Sequence, residues 1–163
     1  MKLKKIFKLI LSVLICQSAG IVGSFFTAPA ISSWYVTLEK PSFAPPNWVF
    51  APVWISLFTL MGIAFYLIWE KGIDRKKVRR LLFIFCIHLG LNALWSVLFF
   101  GLKSPLLAFF EIIILWLFIL WITYKFYKVY KLAGILLLPY LFWVSIAAVL
   151  NFFIWKINFW FFL

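Results

Sequence analysis

Residues 81–101 read LLFIFCIHLGLNALWSVLFFG, with no lysine, arginine, aspartate or glutamate among them. A helix needs about 20 mostly apolar residues to cross the hydrocarbon of a bilayer, and this run is that long. Comparable runs lie near residues 6–26, 52–69, 105–124 and 134–155. The whole chain of 163 residues is 67% hydrophobic, with a mean hydropathy of +1.11, well beyond a soluble globular domain. The expectation is a single all-α membrane domain over 1–163: a bundle of five transmembrane helices.

Charge placement gives the topology. The formal net charge is +12, but it is not spread as on a nucleic-acid-binding face. Lys2, Lys4, Lys5 and Lys8 precede the first run. Lys71, Arg75, Lys76, Lys77, Arg79 and Arg80 lie between the second and third, and Lys125, Lys128 and Lys131 between the fourth and fifth. Only Lys40, Lys103 and Lys156 fall on the other side. The positive-inside rule then predicts a cytoplasmic N-terminus and an external C-terminus, which requires an odd number of spans. The basic residues serve topology and contact with anionic lipid headgroups; no nucleic-acid partner is expected. A bacterial plasma membrane fits this bias.

The opening MKLKK and the apolar stretch behind it resemble a signal peptide. The run continues to Phe26, however, and Ile15 before Cys16 lacks the small residue of a lipoprotein cleavage site, so a retained first helix is expected. Cys16 and Cys86 fall inside apolar runs, where they read as small hydrophobes. No second histidine or cysteine cluster accompanies His88, so no metal site is expected.

Polar side chains are costly in lipid, and their positions inside the spans are the best internal evidence for a site. His88, Asn92, Trp95 and Phe99 share a face of the third run, and Tyr140, Trp143, Ala147 and Asn151 a face of the fifth. Trp54, Phe58, Phe65 and Trp69 form a stripe in the second. Gln17, Gly20, Ser24 and Thr27 form a small and polar one in the first, favoured as a packing surface. Asn92 and Asn151 also suit plain inter-helix clips. Glu111 suits a cross-bundle pair or a dimer surface, while Trp69 and Trp155 suit interfacial belts. Trp54, Trp95 and Trp143 together suggest an apolar pocket with a few polar atoms, fit for a flat conjugated molecule.

The longest connection contains Trp34–Trp54, WYVTLEKPSFAPPNWVFAPVW. Its prolines fix their own φ and restrict the preceding residue, so KPSFAPP is extended and stiff. Trp54 is expected to open the second helix directly behind it. Phe43, Trp48 and Phe50 are expected to fold back on the bundle or rest among headgroups. The physical reading is a semi-rigid lid over the pocket. The final NFWFFL (Asn158–Leu163) suits the interface and has no functional reading.

Four spaced motifs carry a resemblance: WYxxLxKPxFxPPxWxFxPVW at Trp34–Trp54, MGxxxYLxW at Met61–Trp69, LNxxWSxxFFG at Leu91–Gly101 and PYLxWxxxxxxLN at Pro139–Asn151. In this order they resemble the TspO/MBR family, the tryptophan-rich sensory proteins related to the mitochondrial translocator protein (peripheral-type benzodiazepine receptor). The resemblance implies a homodimeric five-helix bundle whose pocket binds porphyrin, haem or benzodiazepine-type ligands beneath the first loop, with no cofactor required. Carried over by position, its ligand-binding residues are Tyr35, Pro45, Trp54 and Phe58, then Asn92, Trp95 and Phe99, then Trp143, Ala147 and Leu150. It also implies that Trp54 and Trp143 permit a light-dependent degradation of protoporphyrin.

Two departures stand out. His88 occupies a position where many relatives carry glutamine. The animal sterol motif wants an aromatic hydroxyl where LNFFIWK (Leu150–Lys156) has Phe152, so cholesterol is not expected. The functional expectation is a tetrapyrrole-binding sensor or regulator, with enzymatic porphyrin breakdown left open. The alternative is a transporter of porphyrins or other small amphiphiles, against which stands the lack of an inverted repeat. A structural membrane partner protein is the third reading.

Overall fold

The computed structural model describes residues 2–159. Within them the chain forms α1 (Lys2–Ile31), α2 (Asn47–Trp69), α3 (Lys76–Ser96, continued by a π-helical turn at Val97–Gly101), α4 (Pro105–Val129), a short α5 (Lys131–Ile135) and α6 (Leu138–Ile157). α5 and α6 together make the fifth span, and five segments are long and apolar enough to cross a membrane. No strand occurs among the described residues. Helices are what lipid permits, because each backbone N–H and C=O must be satisfied within its own segment. The chain is a multi-pass integral membrane protein.

The same constraint moves the expected boundaries outward. α1 runs past Phe26 to Ile31 and carries Pro29 inside it. α2 begins at Asn47 rather than Pro52, capped by Pro46 at φ −58, ψ 145. Trp54 therefore lies two turns into α2 and does not open it. Ending the helices at their prolines would have left backbone groups unpaired near the bilayer; one missing N–H in a continuing helix costs less. The connection narrows to Ser32–Pro46, with a 3-10 turn at Tyr35–Thr37. α4 likewise continues beyond Tyr124 to Val129 and stops where Tyr130 turns extended (φ −155, ψ 114). Pro139 then starts α6 in its first turn.

Antiparallel succession collects the basic segments at one end of the bundle and the Ser32–Pro46 strap at the other. At the basic end, Lys8 donates to Glu70 at 2.8 Å and Lys5 lies 3.9 Å from the same carboxylate. That half is packed solid: Met61, Ile68, Phe85, Ile119, Ile122 and Phe126 are fully buried. Phe85 stacks on Phe126 at 5.2 Å. α1 and α2 approach through Gly62, where a Cβ would stand 2.5 Å from the Val13 Cα. Such close approach is the usual use of small residues between membrane helices.

Candidate functional site: an aromatic cavity under the strap

The half of the bundle nearer the strap opens instead of closing. A cavity of about 420 Å³ lies there, lined by α1, α2, α3, α4, α6 and the strap. From α2 come Trp54 and Phe58, their rings stacked at 5.4 Å. Phe58 is held by Gly20 of α1, where a Cβ would fall 2.6 Å from its ring. From α3 come Asn92, Trp95 and Phe99, with Trp95 stacked on Phe99 at 5.0 Å. From α6 come Trp143, Ala147 and Leu150. Tyr35 reaches the cavity from the strap. Pro45 is not among the lining residues; it belongs to the strap.

The π turn shapes this wall. An inserted residue at Val97–Gly101 offsets the helical register, and Phe99 and Phe100 both line the cavity although adjacent in sequence. Their rings meet edge-on at 4.8 Å.

Polar contacts set the indole and amide positions. Trp95 Nε1 donates to Asn151 Oδ1 at 3.1 Å, and Asn151 Nδ2 donates to the Pro105 carbonyl at 2.7 Å. Asn151 thereby links α3, α4 and α6. Asn92 Nδ2 donates to the Tyr140 hydroxyl at 2.9 Å, which lies 3.0 Å from His88 Nε2. With the ring proton on Nδ1, His88 accepts from that hydroxyl. His88 and Tyr140 are fully buried and form the underside of the cavity floor rather than its lining. Trp143 lines the cavity, and its buried indole N–H has no hydrogen-bond partner among the described residues.

The α1 stripe, favoured from sequence as a packing surface, also lines the cavity through Gln17, Gly20, Ser24 and Thr27. Gln17 clips α1 to α2, donating to the Ile55 carbonyl at 3.0 Å and to Thr59 Oγ1 at 3.1 Å. Glu111 is 7% exposed, with neither carboxyl oxygen hydrogen-bonded among the described residues, and it lies outside the lining. Of its two readings, the cross-bundle pair is not formed among the described residues.

Of the three aromatics expected to fold back on the bundle or rest among headgroups, Phe43 belongs to the strap, while Trp48 and Phe50 fall in the first turn of α2. Phe50 meets Trp143 edge-on at 5.9 Å and Phe43 meets Phe153 at 5.5 Å, while Trp48 stays 75% exposed. Tyr35 packs on Phe99 and Phe100, at 6.3 and 5.8 Å. Burial pushes its phenol above the ordinary tyrosine value, which keeps it a neutral hydrogen-bond donor. Lys40 donates to the Leu38 carbonyl at 3.0 Å and lies 4.6 Å over the Tyr35 ring. Sequence reasoning missed Asn158, whose side chain holds the strap. Its partner is the Glu39 backbone, which leaves no mark in the residue pattern. Residues 160–163 of the apolar tail lie outside the described residues.

Five membrane spans around an aromatic cavity under a proline-rich strap define a class of small polytopic helical membrane protein. Residues 12–156 match the model of the TspO/MBR family, and the chain belongs to that family. It is 46% identical over 154 residues to the tryptophan-rich protein TspO of Archaeoglobus fulgidus, covering 94% of this chain and 98% of that protein. It is 36% identical over 139 residues to the human translocator protein, covering 84% and 82% respectively. To the tryptophan-rich sensory protein of Cereibacter sphaeroides it is 34% identical over 125 residues, covering 77% of each chain.

Proposed function

We propose that the protein is a membrane sensor or regulator that binds a flat, largely apolar ligand of the tetrapyrrole class in the cavity beneath the strap. The observation that carries this reading is the convergence of Trp54, Trp95 and Trp143, from three helices, on one cavity. A volume of about 420 Å³ is in the range of small-molecule sites. Indole faces suit a conjugated ring, each aromatic pair contributing about 0.5–1.5 kcal/mol beyond area burial. Asn92, which lines the cavity, supplies a polar contact for the ligand. The name of the Cereibacter sphaeroides relative, a sensory protein, supports the regulatory half of the reading.

In the same reading the chain is a homodimer in a bacterial plasma membrane, basic end inward, with the strap at the external face. Trp54 and Trp143 both line the cavity, which supports assigning light-dependent protoporphyrin breakdown to the same site. The test is titration of the purified chain with protoporphyrin in the dark, following tryptophan fluorescence, and then under illumination. Saturable quenching supports the receptor. Loss of the porphyrin spectrum only in light adds the degradation reaction, and an unchanged spectrum removes it. Vectorial porphyrin uptake into proteoliposomes would favour a transporter instead.

A further inference from the structure

We infer that Asn158, at the end of α6, is the latch that holds the Ser32–Pro46 strap shut over the cavity and so sets how long a ligand stays inside. Asn158 is 8% exposed and lies outside the cavity lining, so it acts on the site only through the strap. The Glu39 N–H donates to its Oδ1 at 3.0 Å, and its Nδ2 donates back to the Glu39 carbonyl at 2.9 Å. The second Nδ2 hydrogen goes to the Ile154 carbonyl at 2.8 Å. One side chain therefore grips both polar groups of a strap residue 119 positions away and anchors itself to its own helix.

The chemistry demands an asparagine. Gripping Glu39 takes one acceptor and one donor at a fixed separation, and anchoring to Ile154 takes a second donor; a carboxamide has all three. Aspartate of the same shape keeps the acceptor and faces two carbonyl oxygens with an anion. Leucine keeps the volume and offers nothing.

The grip transmits to the cavity because the strap is stiff. Leu38, next to Glu39, is buried in one cluster with Leu150, Ile154, Phe99 and Tyr35. Lys40 ties back to the Leu38 carbonyl and covers the Tyr35 ring. Beyond it Pro41, Pro45 and Pro46 limit bending, and Phe43 rests on Phe153. Freed at Glu39, the strap lifts as a unit and takes Tyr35 away from the cavity wall. The effect on ligand residence rests on the ligand reading above; the latch itself does not.

Two measurements on the full chain in nanodiscs test this with Asn158→Asp and Asn158→Leu. The first is amide hydrogen exchange across residues 35–44 with no ligand added. Both variants should exchange there about tenfold faster or more, as loss of a hydrogen-bonded pair implies, with α3 and α4 unchanged. The second is stopped-flow protoporphyrin binding read by tryptophan quenching. Dissociation should accelerate by a similar factor while association changes much less. Exchange at wild-type rates in both variants overturns the latch, and so does faster exchange with unaltered dissociation. If wild-type protein does not bind protoporphyrin, the ligand reading fails and the exchange result alone decides the latch. Should Asn158→Leu fail to fold, the isosteric Asn158→Asp carries both measurements.

Discussion

The two halves of this bundle use the same side chains to opposite ends. At the basic end, aromatic rings interlock: Phe85 meets Phe65 and Phe126 at 5.5 and 5.2 Å. At the strap end, stacked pairs such as Trp54–Phe58 and Trp95–Phe99 present their free faces to a common space. The boundary between them is polar, where Tyr140 joins His88 to Asn92 beneath Trp54. Aromatic content therefore does not separate core from site in this chain. The partial exposure of Trp54, Trp95 and Trp143 and the irregular backbone at Val97–Gly101 do.

The largest expected effect comes from closing the gap that lets the packed half assemble. Gly62→Leu drives a side chain into the Val13 backbone. It should cost about 3 kcal/mol or more by overpacking, measured as lost thermal stability or misassembly in detergent. A stable, ligand-binding Gly62→Leu protein would mean that the α1–α2 contact is not what defines the solid half.

Asn151→Leu acts at the other end. It removes the acceptor of the Trp95 indole and the donor to Pro105. The stability loss should be about 1–2 kcal/mol, the upper range for polar contacts between membrane helices. Trp95 should also lose its fixed orientation, seen as a shifted and broadened fluorescence contribution. Tyr140→Phe probes the boundary and should cost least, about 1 kcal/mol. Folding should persist, with weaker ligand binding through a released Asn92. Equal effects of Tyr140→Phe and Asn151→Leu on the cavity would erase the distinction between floor and wall.

Much of this was legible in the sequence for plain reasons. Span number follows from apolar length and from the alternation of basic segments. The stripes of α2, α3 and α6 converge because helical period sets which side chains share a face. The ends were not legible. Apolar length puts the end of the first span near Phe26 and the start of the second near Pro52, whereas lipid keeps the backbone helical through Pro29 and Pro52. Pro45 matched the motif but is not among the lining residues, since a motif records a position in sequence and not a place in the cavity. The π turn behind Phe99 and Phe100 and the Asn158 grip on Glu39 are matters of backbone geometry. Neither leaves a residue pattern to read.

The central claim is that Trp54 and Trp143 form a ligand-binding wall rather than more core. Dark titration of wild-type and Trp54→Phe/Trp143→Phe protein with protoporphyrin tests it most directly, with Trp95 remaining as a reporter in the variant. The double variant should fold with near wild-type stability and bind roughly tenfold more weakly or worse, about 1.4 kcal/mol or more. Wild-type affinity and full quenching in the double variant would contradict it.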